Sequence, residues 1–404
     1  MSDSALGRRF WVLWAAFSAA NLGDGISYVA FPLLAFELVD DARMLGVVAA
    51  FRFLPIVLVG LPAGVIIDRF DRRRLAALAQ IARSGVLGAL ALAVATGRVS
   101  IVFIIVSAFL VGLGEVVTDG GLPALVRELV RTDQLEVANS RISATQTVTN
   151  LIIGPPVGAA MFGLGASLPF VTGAVTFAVG AVALQALPGQ YRAPQSERRE
   201  GPLRELTVGL RYVWGHPVLR PLAFTVAAFA FASEAGNTVF VVLATERLGL
   251  EPVGFGLLIS LDAVVSVVMS FFVARLVGRI GHAGSLRFRV AAFALSALIM
   301  GSATIVAVAA VAMALSGVSE PTWNVVSSTL RQRLVPDEVF GRMMTAYLVV
   351  AWSLQPLGAL AGGMVAEVWG PEWVYLASGL LVGSLLVGAR PLFTQVERAM
   401  AEVN

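Results

Sequence analysis

Long apolar runs alternate with short polar stretches along almost the whole chain. The runs lie near 11–38, 44–67, 75–96, 99–126, 138–164, 168–187, 219–244, 253–277, 285–303, 304–330, 342–366 and 373–394. Each run is long enough to cross a bilayer as an α-helix. The pattern therefore predicts an all-α membrane protein with about twelve transmembrane helices.

One long polar stretch, 188–217, interrupts this alternation. It contains Ser, Pro, Gln and charges of alternating sign, which is typical of a linker, with a short amphipathic helix around 203–214. The stretch predicts three parts: an N-terminal half at 1–187, a cytoplasmic linker at 188–217 and a C-terminal half at 218–404. Each half holds about six of the apolar runs.

The two halves resemble each other in sequence. An offset of about 210 residues superposes 17–24 on 227–234 and 64–69 on 274–279, and an offset of about 205 aligns 125–130 with 330–335. Similarity this weak can arise by chance in apolar sequence. The matched polar positions favour an internal repeat.

Composition excludes a soluble fold. Of the 404 residues 57% are hydrophobic and 14% charged, whereas soluble domains carry about 25% charge.

The residue types also argue against several classes of function. Every Lys or Arg position is an arginine, and the arginines are spread between the apolar runs, so the net charge of +3 indicates no nucleic-acid partner. With no cysteine and two isolated histidines, the chain offers no metal site. No nucleotide-binding or nucleophile motif is present, so we expect neither an enzyme nor a primary pump, and no catalytic residue.

The arginines also predict the topology. One set of loops and helix ends carries Arg8, Arg9, the cluster at 69–74, Arg127, Arg131, Arg192, Arg198, Arg199, Arg204, Arg211, Arg275, Arg279, Arg287, Arg289, Arg331, Arg333 and Arg342. The alternate loops carry only Arg43, Arg98 and Arg247. Because cytoplasmic loops are rich in Lys and Arg, both termini are predicted to be cytoplasmic.

The loop between the second and third runs reads Gly64-Val-Ile-Ile-Asp68-Arg69-Phe-Asp71-Arg72-Arg73-Arg74. A generic positive-inside turn explains its arginines, but not Gly64 and Asp68 at this spacing. The spacing G-x-x-x-D-R-x-x-R-R resembles the signature loop between helices 2 and 3 of the major facilitator superfamily. The general family pattern has Gly where this chain has Asp71.

The resemblance implies the major facilitator fold, with two parallel six-helix repeats. It also implies that Gly64 permits close helix contact and that Asp68 caps a neighbouring helix and pairs with arginine. Residues of this loop are therefore candidates for a conformational switch, namely Gly64, Asp68, Arg69, Arg72 and Arg73.

The fifth run contains Asn150-Leu-Ile-Ile-Gly154-Pro155-Pro156-Val-Gly158. It is similar to the Gly-Pro motif on helix 5 of export-type antiporters of the superfamily. Pro bends a helix and Gly allows close approach, so we expect Gly154, Pro155 and Gly158 to belong to the switch, with Gly154 packed against the opposite half. An ordinary Pro kink is the alternative.

Further stretches narrow the resemblance to the drug:proton antiporter branch, which includes macrolide, multidrug and siderophore exporters. They are Leu22-Gly-Asp24, Phe51-Arg52-Phe-Leu-Pro55, Gln80-Ile-Ala-Arg83 and the segment 122–130. Helix 4 lacks the intramembrane arginine that is frequent in the family, which puts the usual proton-relay assignment in doubt.

Ionisable groups inside membrane spans cost about 2.5–3.5 kcal/mol each and therefore require an explanation. The candidates for proton coupling and for the substrate cavity are Asp24, Arg52, Glu115, Glu234, Asp262 and Glu320. The repeat offsets place Asp24 opposite Glu234, Glu115 opposite Glu320 and Arg52 opposite Asp262. The alternative is that these groups only hold helices together.

Two arginines have more specific expectations. We expect Arg83 to form a structural ion pair with Asp119. Arg52 either neutralises Asp24 or lines the cavity.

The residues and the resemblance together predict a secondary transporter that exports amphipathic organic molecules in exchange for protons. We expect the proton gradient as energy source without a cofactor, a monomer, and a multi-pass location in the inner (cytoplasmic) membrane. The expected partners are an amphipathic substrate, protons and the lipid bilayer. Alternatives are a lipid or lysolipid translocator, a siderophore exporter, or a transport-inactive membrane sensor or partner subunit. Asp68 and the helix 5 motif disfavour the last of these.

Overall fold

Nearly all residues that the computed structural model describes are helical. It describes residues 6–39, 41–189, 191 and 202–403, with the backbone alone at 61–69, 202–203, 337 and 401–403. The described part of the chain contains no β-strand. This confirms the predicted all-α class.

The first half of the chain forms α1 (Arg8–Leu38), α2 (Ala42–Arg69), α3 (Arg72–Ala95), α4 (Ile101–Leu129), α5 (Leu135–Gln146), α6 (Gly154–Leu164) and α7 (Leu168–Gln185). The second half forms α8 (Pro202–Gly215), α9 (Leu219–Val242), α10 (Pro252–Ser270), α11 (Val273–Ser302), α12 (Val306–Leu334), α13 (Asp337–Ser353), α14 (Gln355–Trp369), α15 (Pro371–Gly388) and α16 (Arg390–Val403).

The described helices include 11 segments that are long and apolar enough to cross a membrane. Two of these segments, Thr132–Leu164 and Glu338–Trp369, each combine consecutive helices. α1 is not among the 11, but its 31 residues extend for about 46 Å, which exceeds the roughly 30 Å of a bilayer core. The prediction of about twelve spans is confirmed.

Helix boundaries differ from the apolar runs at several places, and the run 342–366, for example, is divided between α13 and α14. The fifth span contains a π-helical segment, Thr147–Ile153, directly before α6, where two consecutive prolines withhold their backbone donors. α10 ends at Ser270, and α11 starts at Val273 with a break at Gly281, whose φ is 72°. The last run is divided between α15 and the amphipathic α16, which packs Phe393 and Val396 inward.

The helices form two compact units. The first unit comprises Met1–Asp40, Phe51–Arg199 and Glu251–Ser260. In it, α1 packs against α4, α6 and α7, and α3 packs against α4 and α7. The second unit comprises Asp41–Ala50, Glu200–Leu250 and Leu261–Asn404. In it, α9 packs against α14 and α15, α11 packs against α12 and α15, and α8, the predicted linker helix, packs against α13.

The two units repeat the same glycine contacts. A Cβ atom on Gly112 of α4 would collide with the carbonyl oxygen of Arg52, and one on Gly317 of α12 would collide with that of Asp262. These pairs are related by the predicted offsets, which are 210 residues between Arg52 and Asp262 and 205 residues between Gly112 and Gly317. The internal repeat therefore extends to individual helix contacts, and Arg52 and Asp262 are equivalent positions.

Candidate functional site

A buried ion pair lies at the centre of the first unit. The Arg83 guanidinium on α3 donates to Oδ1 of Asp24 on α1, and only 1% of the Arg83 side chain is exposed. The guanidinium carbon lies 3.9 Å from the ring centre of Phe177 on α7. Gly114 makes room for this arrangement, because a Cβ there would lie 2.6 Å from Cγ of Arg83. The expected pair of Arg83 with Asp119 is therefore wrong, since Asp24 takes that place.

Arg52 joins a second acid to this pair. Its Nη2 atom lies 2.9 Å from Oε2 of Glu115 and 3.9 Å from Oδ1 of Asp24. Arg52 thus lies within 4 Å of both acids, and pairing with Asp24 is one of the two roles predicted for it. Glu115 is one-third exposed, while Arg52 is largely buried.

Asp119 completes the first cluster, which we define as Asp24, Arg52, Arg83, Glu115 and Asp119. It lies one helical turn beyond Glu115 on α4, is exposed, and interacts electrostatically with the other four groups. Fully ionised, the cluster holds three carboxylates against two guanidinium groups. It can therefore take up one further positive charge, either a proton or a cation.

The second unit places two acids at the equivalent positions. Asp262 on α10 is partly buried and interacts with the side chain of Ser316 on α12. Glu320, one turn after Ser316 on α12, is exposed and interacts electrostatically with Asp262. The contact of Gly317 with the Asp262 carbonyl brings α10 and α12 close enough for this arrangement.

Arg289 is the functional candidate that the sequence analysis missed. Counting it with the loop arginines is wrong, because its side chain is buried in α11. Nη1 donates to the Ser319 hydroxyl, and the guanidinium carbon lies 4.5 Å from the ring centre of Phe229 and 5.3 Å from that of Phe293. The internal repeat could have identified Arg289, since it follows Arg83 by 206 residues, which is close to the predicted offsets, and lies on the equivalent third helix of the second half.

Arg289 has no direct counter-ion among the described side chains of its unit. It interacts electrostatically with Glu320 and Asp262, but in the described part of the chain no ion pair joins it to a carboxylate within 4.0 Å. We define Asp262, Arg289, Ser319 and Glu320 as the second cluster. Like the first cluster, it holds one more carboxylate than guanidinium groups.

Glu234, the predicted counterpart of Asp24, is also buried. It lies on α9 of the second unit and is 7% exposed. Both units thus carry a buried acid on their first membrane-spanning helix.

The signature loop is only partly described. The side chains of Gly64, Asp68 and Arg69 lie outside the described part, so the predicted helix cap by Asp68 stays a prediction. Arg72 pairs with Glu128 at the end of α4, with 2.8 Å between Nη1 and Oε1. The Arg73 guanidinium donates to the carbonyl oxygen of Leu187.

The glycines of the helix 5 motif pack within the first unit. A Cβ on Gly154 would lie 2.6 Å from Cα of Gly25, and one on Gly158 would lie 2.6 Å from the Ile26 carbonyl oxygen, both on α1. Gly154 therefore packs against α1 of its own unit, which corrects the expected contact with the opposite half. The neighbouring Pro155 packs against α10 within the same unit, because a Cβ on Gly256 would lie 2.7 Å from its carbonyl oxygen.

Within the described ranges, no group of three or more His, Cys, Asp or Glu side chains is placed to hold a metal ion.

Comparison with known proteins identifies relatives over nearly the full length. The sequence model of the Major Facilitator Superfamily matches residues 13–356. The multidrug efflux pump Tap of Mycolicibacterium fortuitum is 28% identical over 419 residues, covering 97% of both chains. Macrolide efflux protein A of Streptococcus pyogenes is 21% identical over 389 residues, covering 93% of both chains. The crystal structure of the nucleoside transporter NupG superposes with a TM-score of 0.78 at 12% identity, covering 97% of this chain and 100% of the other, which supports the fold alone.

Proposed function

The chain belongs to the major facilitator superfamily of membrane transporters, and from this membership we propose that it exports amphipathic organic molecules in exchange for protons. The names of the relatives, a multidrug efflux pump and a macrolide efflux protein, support this direction and this substrate class. The proton gradient supplies the energy, and no cofactor takes part. The protein works as a monomer in the inner membrane with both termini in the cytoplasm.

The observation that supports proton coupling is that the guanidinium group of Arg52 is shared by two acids. It is within 4 Å of both Glu115 and Asp24, but Asp24 already has Arg83 as a partner. When Glu115 takes up a proton, it loses its charge-assisted contact with Arg52, which can then turn fully to Asp24. Loss of the proton restores the first arrangement. One proton thus selects between two arrangements of the same cluster.

Substrate competes for the same excess negative charge. A protonated amine near Glu115 and Asp119, which are both accessible, neutralises the cluster as a proton does. The second cluster offers a similar balance of charge through Asp262 and Glu320. We assign Glu115 and Asp119 to substrate binding in the first unit and Asp262 and Glu320 to substrate binding in the second, with Asp24 and Glu234 as buried acids of the same units.

Alternating access requires helix contacts that exchange between two states. We propose that Asp68 caps a helix in one state only, with Gly64, Arg69, Arg72 and Arg73 shaping its loop. The helix 5 motif contributes through Pro155, whose carbonyl meets α10, while Gly154 and Gly158 hold α6 against α1.

Transport in proteoliposomes tests the proposal. The purified protein is reconstituted, a pH gradient is imposed, and uptake of ethidium, a cationic amphipathic dye, is followed together with lumenal pH. We expect accumulation of dye coupled to proton movement in the opposite direction. Dye movement without proton movement would exclude the antiporter. Movement of a fluorescent lysolipid with no transport of dye would instead identify a lipid translocator.

A further inference from the structure

Asp71, the residue that departs from the general signature pattern, holds two separate segments of the first unit. Its Oδ1 atom accepts the Arg74 N–H at 3.0 Å and so caps the start of α3. Its Oδ2 atom accepts the Tyr191 N–H at 3.0 Å, across 120 residues of sequence. The Asp71 side chain is buried. Burial alone would raise the pKa of Asp71, but the two N–H donors and the charges of Arg73 and Arg74 outweigh it and hold the pKa below its ordinary value.

The neighbouring residues reinforce this junction. The Arg72 N–H donates to the Tyr191 carbonyl oxygen at 3.0 Å, and the Arg73 guanidinium donates to the Leu187 carbonyl oxygen. The Tyr191 ring is buried, and its hydroxyl donates to the Pro188 carbonyl oxygen at 2.8 Å. We name these residues the linker anchor: Asp71, Arg72, Arg73, Leu187, Pro188 and Tyr191. The anchor attaches the first residues of the predicted linker to the signature loop.

The anchor lies at one end of a long antiparallel contact between α3 and α7. Further along this contact, Ser84 donates to the Ala174 carbonyl oxygen at 2.8 Å, and a Cβ on Gly173 would lie 2.6 Å from Cδ1 of Leu87. Between these contacts and the anchor, Arg83 stacks on Phe177. The helix that the anchor fixes is therefore the one that presents Arg83 to Asp24.

The same chain segment leads onward to the second unit. After the anchor, residues 192–201 lead to α8, which is docked by Gly209, where a Cβ would collide with the carbonyl oxygen of Arg342 on α13. Tyr191 is the last described residue before α8, and Asp71 and Arg72 hold both its N–H and its carbonyl oxygen at the start of α3.

We propose that Asp71 is a positioning residue for transport, which fastens the start of the linker to the signature loop and thereby fixes α3 and Arg83. A glycine at this position, as in the general pattern, would provide neither the helix cap nor the acceptor for Tyr191. The proposal rests on the proposed transport function. It adds a role for a residue that touches neither substrate nor proton.

Three variants separate the possible roles of this contact. Asp71→Ala removes both acceptors. Asp71→Asn keeps one acceptor for the α3 cap, since Asn is as good an N-cap as Asp, but presents an amide NH2 to the Tyr191 N–H. Tyr191→Phe is the matched control, because it removes the hydroxyl bond to Pro188 and leaves the bonds of Asp71 and Arg72 in place.

Hydrogen exchange of the full-length protein in detergent tests the anchor directly. We expect exchange at the Tyr191 amide to accelerate by on the order of tenfold in both Asp71 variants, as for the loss of a charge-assisted hydrogen bond, and to stay unchanged in Tyr191→Phe. Continued protection in both Asp71 variants would overturn the anchor.

Dye transport and dye binding then test the positioning role. We expect both Asp71 variants to lower the turnover of dye transport by about fivefold, which lies within the range of effects seen for residues that contact no ligand. The dye affinity and the shape of the pH profile should stay unchanged. Wild-type turnover in a variant whose Tyr191 amide is exposed would overturn the positioning role. If the wild-type protein moves no dye, the transport function and the positioning role fail together, while hydrogen exchange still decides whether the anchor exists.

Discussion

Nη2 of Arg52 lies 2.9 Å from Oε2 of Glu115, in a contact between α2 and α4 that is only partly open to solvent. A charge-assisted bond of this kind is stronger than one in water, because little solvent competes for it. Its strength depends on the charge of Glu115, so the charge assistance is lost when that carboxylate takes up a proton. The contact therefore weakens when Glu115 is protonated.

Replacing Glu115 by Gln should uncouple transport from protons. If one proton exchanges for one dye molecule, a gradient of one pH unit sustains roughly tenfold accumulation, because one pH unit is worth about 1.4 kcal/mol. We expect accumulation in Glu115→Gln to fall to the level of equal concentrations, while exchange of labelled for unlabelled dye continues. Glu136→Gln, which changes an exposed acid on α5, is the control and should retain full accumulation. Full gradient-driven accumulation in Glu115→Gln would place the coupling at another acid.

The Asp24–Arg83 pair should be a major source of stability for the first unit. Both side chains are more than nine-tenths buried, so Asp24→Asn leaves an unpaired guanidinium beside Phe177. Breaking a buried pair in this way typically costs about 3–5 kcal/mol. We expect Asp24→Asn to lower the unfolding free energy in mixed micelles by about that amount, and the double variant Asp24→Asn/Arg83→Gln to recover most of it. Additive losses in the double variant would show that the two side chains do not depend on each other.

Much of this architecture follows from sequence alone because membrane spans obey strong rules. Apolar runs predict the helices, and the offsets of 210 and 205, which pair Arg52 with Asp262, also relate the glycine contacts that the structure shows at Gly112 and Gly317. The amphipathic helix in the linker was also predicted, as α8.

The sequence does not show in which direction each side chain points. An apolar run shows that a helix exists but not which partner a polar residue meets, so the sequence favours Asp119 on the adjacent α4 as the partner of Arg83, whereas the structure has Asp24. Arg289 lies near the start of a run, where a loop position is the simplest prediction, although its side chain is buried. The contact of Asp71 with Tyr191 joins two polar segments far apart in sequence, and no periodic pattern connects them.

Gly154→Leu should destabilise the first unit rather than bias an equilibrium between access states. The added side chain would be forced against Gly25 of α1, where a single Cβ already lies 2.6 Å from Cα. Overpacking of this kind costs about 1–3 kcal/mol or more. Gly163→Leu is the matched control, because it makes the same change on the same helix at a position with open space. A thermal midpoint in detergent that falls for Gly154→Leu but not for Gly163→Leu would confirm the packing, and equal midpoints would contradict it.

The contribution of Asp71 to stability should depend on pH in one direction only. Its pKa is held below the ordinary value in the folded protein, so its stabilising effect is fully present above the unfolded pKa of about 3.9 and is lost as the pH falls through the folded pKa. The difference in thermal midpoint between wild type and Asp71→Asn should therefore stay constant from pH 8 to pH 5 and shrink below about pH 4. A difference that already shrinks between pH 7 and pH 6 would show that another group is responsible.

Arg289 should set the charge that the second cluster can accept. It is the only basic group among the four residues of that cluster, so Arg289→Gln would raise the excess of negative charge from one to two. At an effective dielectric constant of about 20, a unit charge some 8 Å away contributes roughly 2 kcal/mol. The change should therefore favour a dication over a monocation by at least about tenfold.

Ethidium and propidium are a suitable pair of probes, because they share one aromatic core and differ by one positive charge. We expect the ratio of their dissociation constants to shift toward propidium in Arg289→Gln and to stay near the wild-type ratio in Arg289→Lys, which keeps the charge but loses the planar stacking on Phe229. An equal shift in both variants would assign the effect to lost stacking, and an unchanged ratio in Arg289→Gln would place the substrate's charge outside the second cluster.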